Sequence, residues 1–255
     1  MIVTDTHTHL YSPQFDRDRN EMIRRAIEKG VSRFFIPSID QSYATSMYDL
    51  EASFPDNVFL MMGLHPTSVK ENYQEELAFV QAELQRRNFY AVGEIGIDLY
   101  WDTATLGIQQ EAFRYQIQLA KQHQLPIVIH CRSAFEEVFE VLEQEKGDDL
   151  HGIFHCFTGT RKDAERALSY NMKLGIGGVV TFKNGKIDRF LREIPIESIV
   201  LETDAPYPAT VLFRGKRNES MYILQVLEKI AEIYGMTTQE VAAITTQNSK
   251  EVFGI

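Results

Sequence analysis

Eight short apolar runs, each followed by a longer amphipathic stretch, set the tightest limit on how this chain can fold. The runs are IVTDTHT at 2–8, RFFIPS at 33–38, VFLMMGLH at 58–65, YAVGEIGI at 90–97, PIVIHC at 126–131, GIFHCF at 152–157, KLGIGG at 173–178 and SIVLETD at 198–204. They are rich in Ile, Val and Phe with Gly or Pro close by, which is how buried parallel strands read. The stretches between them predict helices over about 16–29, 42–53, 74–87, 107–123, 134–145, 161–170 and 186–193. Two more, about 219–234 and 238–247, close the chain, the second behind a Thr-Thr-Gln-Glu start suited to a cap. Eight strand–helix units over 255 residues predict an α/β protein, a (β/α)8 TIM barrel with its functional face at the C-terminal ends of the strands. An open doubly wound sheet would want a glycine-rich phosphate loop after the first strand, and here that strand runs into THTHL. No linker or low-complexity run interrupts the pattern, so residues 1–255 read as one domain. The least regular stretch is 204–218, with two prolines and no period.

The formal net charge of -10 argues against general electrostatic affinity for nucleic acid. Bound dications would weaken that objection by placing positive charge where a phosphate sits. The two cysteines, Cys131 and Cys156, form no CxxC pair. By strand alternation both should face away from the barrel interior as small buried hydrophobes. The opening MIVTDTHTHL lacks the basic start and apolar run of a signal peptide, and no apolar stretch approaches the roughly 20 residues of a membrane helix. A cytoplasmic location without membrane attachment is expected.

Five of the seven histidines, His7, His9, His65, His130 and His155, fall at or beside the C-terminal end of a predicted strand. His7 and His9 are two apart on one strand and so share a face, fit to ligate one metal. The bland alternative is a pair of hydrogen-bonded core histidines. Glu94 stands inside an apolar strand, where a carboxylate without a partner is costly. No basic residue lies on that strand or its predicted neighbours, so a metal is the better partner, and two oxygens would let Glu94 bridge two ions. Asp204 ends the eighth strand as His130 and His155 end the fifth and sixth. These six nitrogen and oxygen donors suit Zn, Mg, Mn or Fe and leave room for a dinuclear site. Asp5 and Asp98 read as buried carboxylates that either orient a ligand or serve only packing. Tyr100 and Trp101 either stack on a base or pack a loop, and Arg214, Lys216 and Arg217 either meet a phosphodiester or form a solvated charge run. Met61 and Met62 read as core.

The segments THTHL, GLHP, VGEIGID, IHCRSA, HCFTG and LETDAPY, in this order and spacing, resemble the TatD family of metal-dependent hydrolases, within the amidohydrolase-type barrels. The resemblance runs from His7 to the terminal NSKEVFG. It implies a hydrolase of ester bonds, a 3′ to 5′ deoxyribonuclease, with two divalent metal ions and DNA or another phosphodiester as substrate. It also implies His7, His9, Glu94 and Asp204 around one metal, and Glu94, His130 and His155 around the other. Asp204 and Glu94 then carry catalysis, Asp204 accepting the proton of the attacking water. His65 is implied on the substrate side, and Arg132 against a phosphate. Where the family reads Asn-Glu-Pro after the last strand, this chain has Asn218, Glu219 and Ser220. No lysine stands on the fourth strand to be carbamylated, which sets the chain apart from hydantoinase- and phosphotriesterase-like branches. Two other readings stay open: hydrolysis of a small phosphoester, amide or lactone, and a non-catalytic, metal-stabilised binding protein.

Overall fold

A computed structural model describes residues 1–183, 185–207, 210–211 and 215–255. The apolar runs form eight parallel strands: β1 (Val3–Asp5), β2 (Val31–Ile36), β3 (Val58–Leu60), β4 (Val92–Asp98), β5 (Ile127–Arg132), β6 (Gly152–Phe154), β7 (Met172–Ile176) and β8 (Ile199–Leu201). They make one sheet of three, β1-β2-β3, and one of five, β4 to β8 in order. Backbone hydrogen bonds join the two sheets at both edges. Tyr90 and Met62 donate to Leu60 and Ala91 on one side; Thr6 and Asp204 donate to Leu201 and His7 on the other. The strands thereby close into the (β/α)8 TIM barrel. The regular ladders are shorter than the apolar runs, because bonds such as Thr8 to Phe35 and His155 to Ile129 continue singly beyond the strand ends. His7, His9, His65, His155 and Asp204 all lie on these continuations, past the last ladder residue.

The helices are α1 (Arg19–Glu28), α2 (Ala44–Ser53), α3 (Tyr73–Arg86), α4 (Leu106–His123), α5 (Phe135–Glu145), α6 (Arg161–Ser169), α7 (Ile223–Tyr234) and α8 (Thr238–Phe253). α8 starts at the expected cap, with Thr237 and Glu240 bonding each other's backbone, and runs six residues past the expected end to Gly254 in left-handed conformation. The helix expected over 186–193 does not form. That stretch makes two 3-10 turns, Ile187–Arg189 and Leu191–Glu193. Lys186 is left-handed (φ +65°) and Phe190 between the turns leaves helical geometry (φ -122°), while Pro195 holds Ile194 extended (ψ 134°), so no α-helical run is sustained.

Alternation stacks the barrel interior. Val128, Ile153 and Val200 are fully or nearly fully buried two residues before His130, His155 and Glu202, so an apolar layer lies under the polar one on the same inward face. Phe35 belongs to that layer, and Phe253 at the end of α8 stacks on it with ring centroids 3.7 Å apart, plugging the end of the barrel opposite the histidines. Met61 is part of this inner layer, and Met62 packs in the larger core between strands and helices. No helix among the described residues is long and apolar enough to cross a membrane.

Candidate metal centre

All six expected metal donors meet at the C-terminal mouth of the barrel, and Glu94 is their hub. Its Oε2 lies 3.2 Å from His7 Nε2 and 3.7 Å from His9 Nε2. Its Oε1 lies 2.7 Å from His155 Nε2 and 2.8 Å from His130 Nδ1. Asp204 Oδ1 sits 3.5 Å from His9 Nε2 and 3.9 Å from His7 Nε2. One oxygen of Glu94 thus faces His7 and His9, with Asp204 beside them, and the other faces His130 and His155. Asp204 turns toward this group because its backbone is left-handed (φ +57°), and its N–H is fixed on the His7 carbonyl at 2.9 Å.

His7 and Glu94 are almost wholly buried, yet neither ring nitrogen of His7 has a hydrogen-bond partner. A buried imidazole in that state is costly unless something else takes its lone pair. The sets His7–His9–Glu94, His7–His155–Asp204 and His65–Glu94–His130 each bring their donor atoms within 4.8 Å of one another. This donor chemistry, imidazole and carboxylate without thiolate, fits divalent cations.

Residues behind the donors fix which nitrogen each imidazole offers. The Tyr11 hydroxyl donates to the Pro37 carbonyl at 3.0 Å, so its oxygen accepts from His9 Nδ1 at 2.9 Å and leaves Nε2 with the lone pair, facing Glu94 and Asp204. Asp98 Oδ2 holds His130 Nε2 at 2.8 Å, which turns Nδ1 to Glu94. Asp98 is therefore an orienting carboxylate. Asp5, by contrast, bonds the backbone and hydroxyl of Thr203, tying β1 to the end of β8. His65 differs from the six expected donors. The Thr67 N–H donates to its Nδ1 at 3.1 Å, so Nε2 carries the proton and points to Glu94 Oε1 at 3.4 Å. That tautomer suits a hydrogen-bond donor into the mouth better than a metal ligand, despite the short distances.

The charges respond to this crowding. Burial alone would push the Glu94 carboxyl up, but His155, His65 and His7, with the His130 hydrogen bond, outweigh it and hold the group well below the usual carboxylate range. Burial likewise works against the His155 cation, and Glu94 and Glu202 overcome it to raise its pKa. Burial and the neighbouring His155 lower that of His7. Asp204 is held low despite burial by its contacts with His9, His155 and His7.

Sequence reasoning missed two residues. Tyr11 is one. Glu202 is the other: fully buried at the inward position two before Asp204, it accepts from the Cys156 N–H and lies 3.4 Å from His155 Nδ1. Gly175 on β7 makes room for it, since a Cβ there would collide with Glu202 Oε2. The inward parity of Glu202 with Asp204, beside the glycines of KLGIGG, was the available signal.

The mouth opens into a cavity of about 430 Å³ lined by His9, His65, His130, Arg132, His155 and Asp204 among others. Arg132 is exposed at its rim, 3.8 Å over the Tyr100 ring. Cys131 and Cys156 are half-buried and line the cavity too. For Cys156 the alternation fails because β6 has ended and its backbone is left-handed (φ +44°); burial pushes its thiol up to about 12. Of the basic cluster, Arg217 pairs bidentately with Asp18 at 2.7 Å and also holds Glu219, so it ties the loop down. Arg214 lies outside the described residues. Asn218 donates to the Thr203 carbonyl at 2.7 Å, and Ser220 Oγ lies 3.3 Å from the Thr8 hydroxyl, both behind the donor cluster.

Residues 4–254 match the family model described as TatD related DNase. The chain belongs to this family. It is 40% identical, over the full length of both chains, to an uncharacterized metal-dependent hydrolase, YabD, of Bacillus subtilis strain 168. It is 31% identical to the 3′-5′ ssDNA/RNA exonuclease TatD of Rahnella sp. strain Y9602, covering 97% of this chain and 96% of that one. Among solved structures it superposes on YjjV, a TatD homologue from Escherichia coli K12, with a TM-score of 0.93 at 28% identity, covering 99% of this chain and 98% of the other.

Proposed function

We propose that this TatD-family chain is a metal-dependent hydrolase that cleaves phosphodiester bonds, a 3′ to 5′ deoxyribonuclease working with two divalent cations. The observation that carries this reading is the division of Glu94, whose two oxygens face different imidazole pairs. His7, His9 and Asp204 would hold one cation with Glu94, and His130 and His155 the other. Zn, Mg and Mn all suit these donors. When bound, the cations would supply Lewis-acid polarisation of the ester and a water of lowered pKa.

The remaining work falls to side chains. Asp204, held ionised at the edge of the cavity, orients the attacking water and takes its proton. His65 donates from Nε2 to a phosphoryl oxygen, and Arg132 neutralises charge at the rim. Glu94 positions both halves of the centre. The family description and the exonuclease name of the Rahnella relative support DNA as the substrate class. The two free thiols fit a reducing compartment such as the cytoplasm.

A small phosphoester is the second reading, favoured by the net charge of -10 and the modest cavity. One assay separates them. End-labelled single-stranded DNA and a small alkyl phosphodiester are offered to the purified protein with Mg, Mn or Zn, and with EDTA. Stepwise shortening from the 3′ end, lost in EDTA, supports the deoxyribonuclease. Turnover of the small diester with intact DNA would replace it with the second reading, and no turnover of either with any metal would leave a binding protein.

A further inference from the structure

Among the described residues, three large aromatic side chains are strongly exposed: Tyr100, Trp101 and Tyr207. All three stand at the mouth of the barrel. Trp101 and Tyr207 line the cavity, and Tyr100 stacks under Arg132 at its rim. An indole left 70% exposed gains nothing from the core, so loop packing does not explain Trp101.

The segment is nevertheless held in place. Asp98, buried at the end of β4, accepts from the backbone N–H groups of Tyr100 (2.9 Å) and Trp101 (3.4 Å) through Oδ1. Its other oxygen holds His130 Nε2. One carboxylate thus fixes the aromatic pair relative to the donor cluster. Tyr100 and Trp101 pack edge to face at 4.9 Å, and the Arg132 guanidinium covers Tyr100 while lying 5.4 Å from the Trp101 centroid. With Arg132 over its ring, Trp101 still keeps most of its surface in solvent, and that arginine has no carboxylate partner in an ion pair among the described residues.

We propose that Trp101, braced by Tyr100 and Arg132, is a stacking platform for an unpaired nucleobase whose phosphate lies toward Arg132 and the donor cluster. The inference rests on the phosphodiester reading above and deepens it. Every base has a π-face, so such a platform tolerates sequence; a base inside a duplex has both faces covered and cannot use it. The site therefore selects single strands or frayed 3′ ends.

Trp101 is the sole tryptophan of the chain, so intrinsic fluorescence reports on it directly. The metal-loaded protein is titrated with a phosphorothioate-linked oligothymidylate and with an abasic oligomer of equal length, binding being followed independently by anisotropy of a labelled strand. Quenching by the first and not by the second is expected. In steady-state cleavage of single-stranded DNA, Trp101→Ala should raise KM about 5- to 100-fold with kcat nearly kept, and Trp101→Phe should recover part of the loss. Discrimination between basic and abasic 3′-terminal nucleotides should vanish in Trp101→Ala. Saturable DNA binding without quenching, or cleavage by Trp101→Ala with unchanged KM and unchanged abasic discrimination, would overturn the platform and leave the nuclease standing. Failure of the wild-type protein to bind or cut any nucleic acid would remove both together.

Discussion

Glu94 replaced by Gln keeps its shape but loses the charge that five imidazoles surround. The variant should lose hydrolysis and cation binding together, while far-ultraviolet circular dichroism stays that of the parent. Retained turnover in the metal-loaded variant would break the link between this side chain and the centre. Glu202→Gln separates a ligand from what stands behind it. Glu202 touches the cluster only through His155 and the Cys156 amide, so metal affinity in a calorimetric titration should weaken by about 10- to 100-fold without loss of the fold. An unchanged affinity would make Glu202 a packing residue. At this scale the sequence was readable where a polar residue interrupts an apolar run, as at Glu94 or the His7–His9 pair. It was silent about Tyr11, because a tyrosine at a strand end has no pattern that reveals where its hydroxyl goes. It was ambiguous for Asp5 and Asp98, which share burial and parity; only the partners, Thr203 and His130, tell them apart.

Elements place these residues through backbone contacts. α4 buries two glutamines seven residues apart, two turns along one face. Gln116 pairs with both the N–H (2.7 Å) and the carbonyl (3.2 Å) of Leu64, next to His65. Gln109 does the same for Asp98 at 2.8 and 3.1 Å. A single helix thus fixes the chain beside His65 and beside the carboxylate that orients His130. Gln116→Ala leaves the Leu64 groups buried and unpaired, which should cost about 1–3 kcal/mol in urea unfolding; a loss under a few tenths would mean that water replaces the amide. Periodicity located this helix to within a residue at its start, since its apolar positions recur without interruption. Periodicity failed over 186–193, where the backbone leaves helical geometry at Phe190, and it ended α8 too early, because Asn248 and Ser249 look polar in sequence while being buried against the barrel.

Across the whole molecule, the barrel is two sheets whose edges meet through a few amide bonds, with Phe253 closing one end. Eight apolar runs predict the strand count and order, but not this division, which depends on how few residues in β1, β3 and β8 keep regular ladder geometry. The donors come from both parts: His7 and His9 follow a strand of the three-stranded sheet, whereas Glu94, His130, His155 and Asp204 belong to the five-stranded one. Loading with cations should therefore slow hydrogen exchange at the amides of Thr6, Gly93 and Asp204, which bridge the edges, more than at amides inside the ladders, as read by mass spectrometry. Uniform slowing would point to global stabilisation alone.

The barrel's rim then works as a clasp. A cation held by His7 and Asp204 would draw together two staves that a few backbone amides and the Asp5–Thr203 bonds already join. Filling the centre and narrowing the seams at the rim become one event, and an emptied protein should breathe along both seams before any strand comes loose.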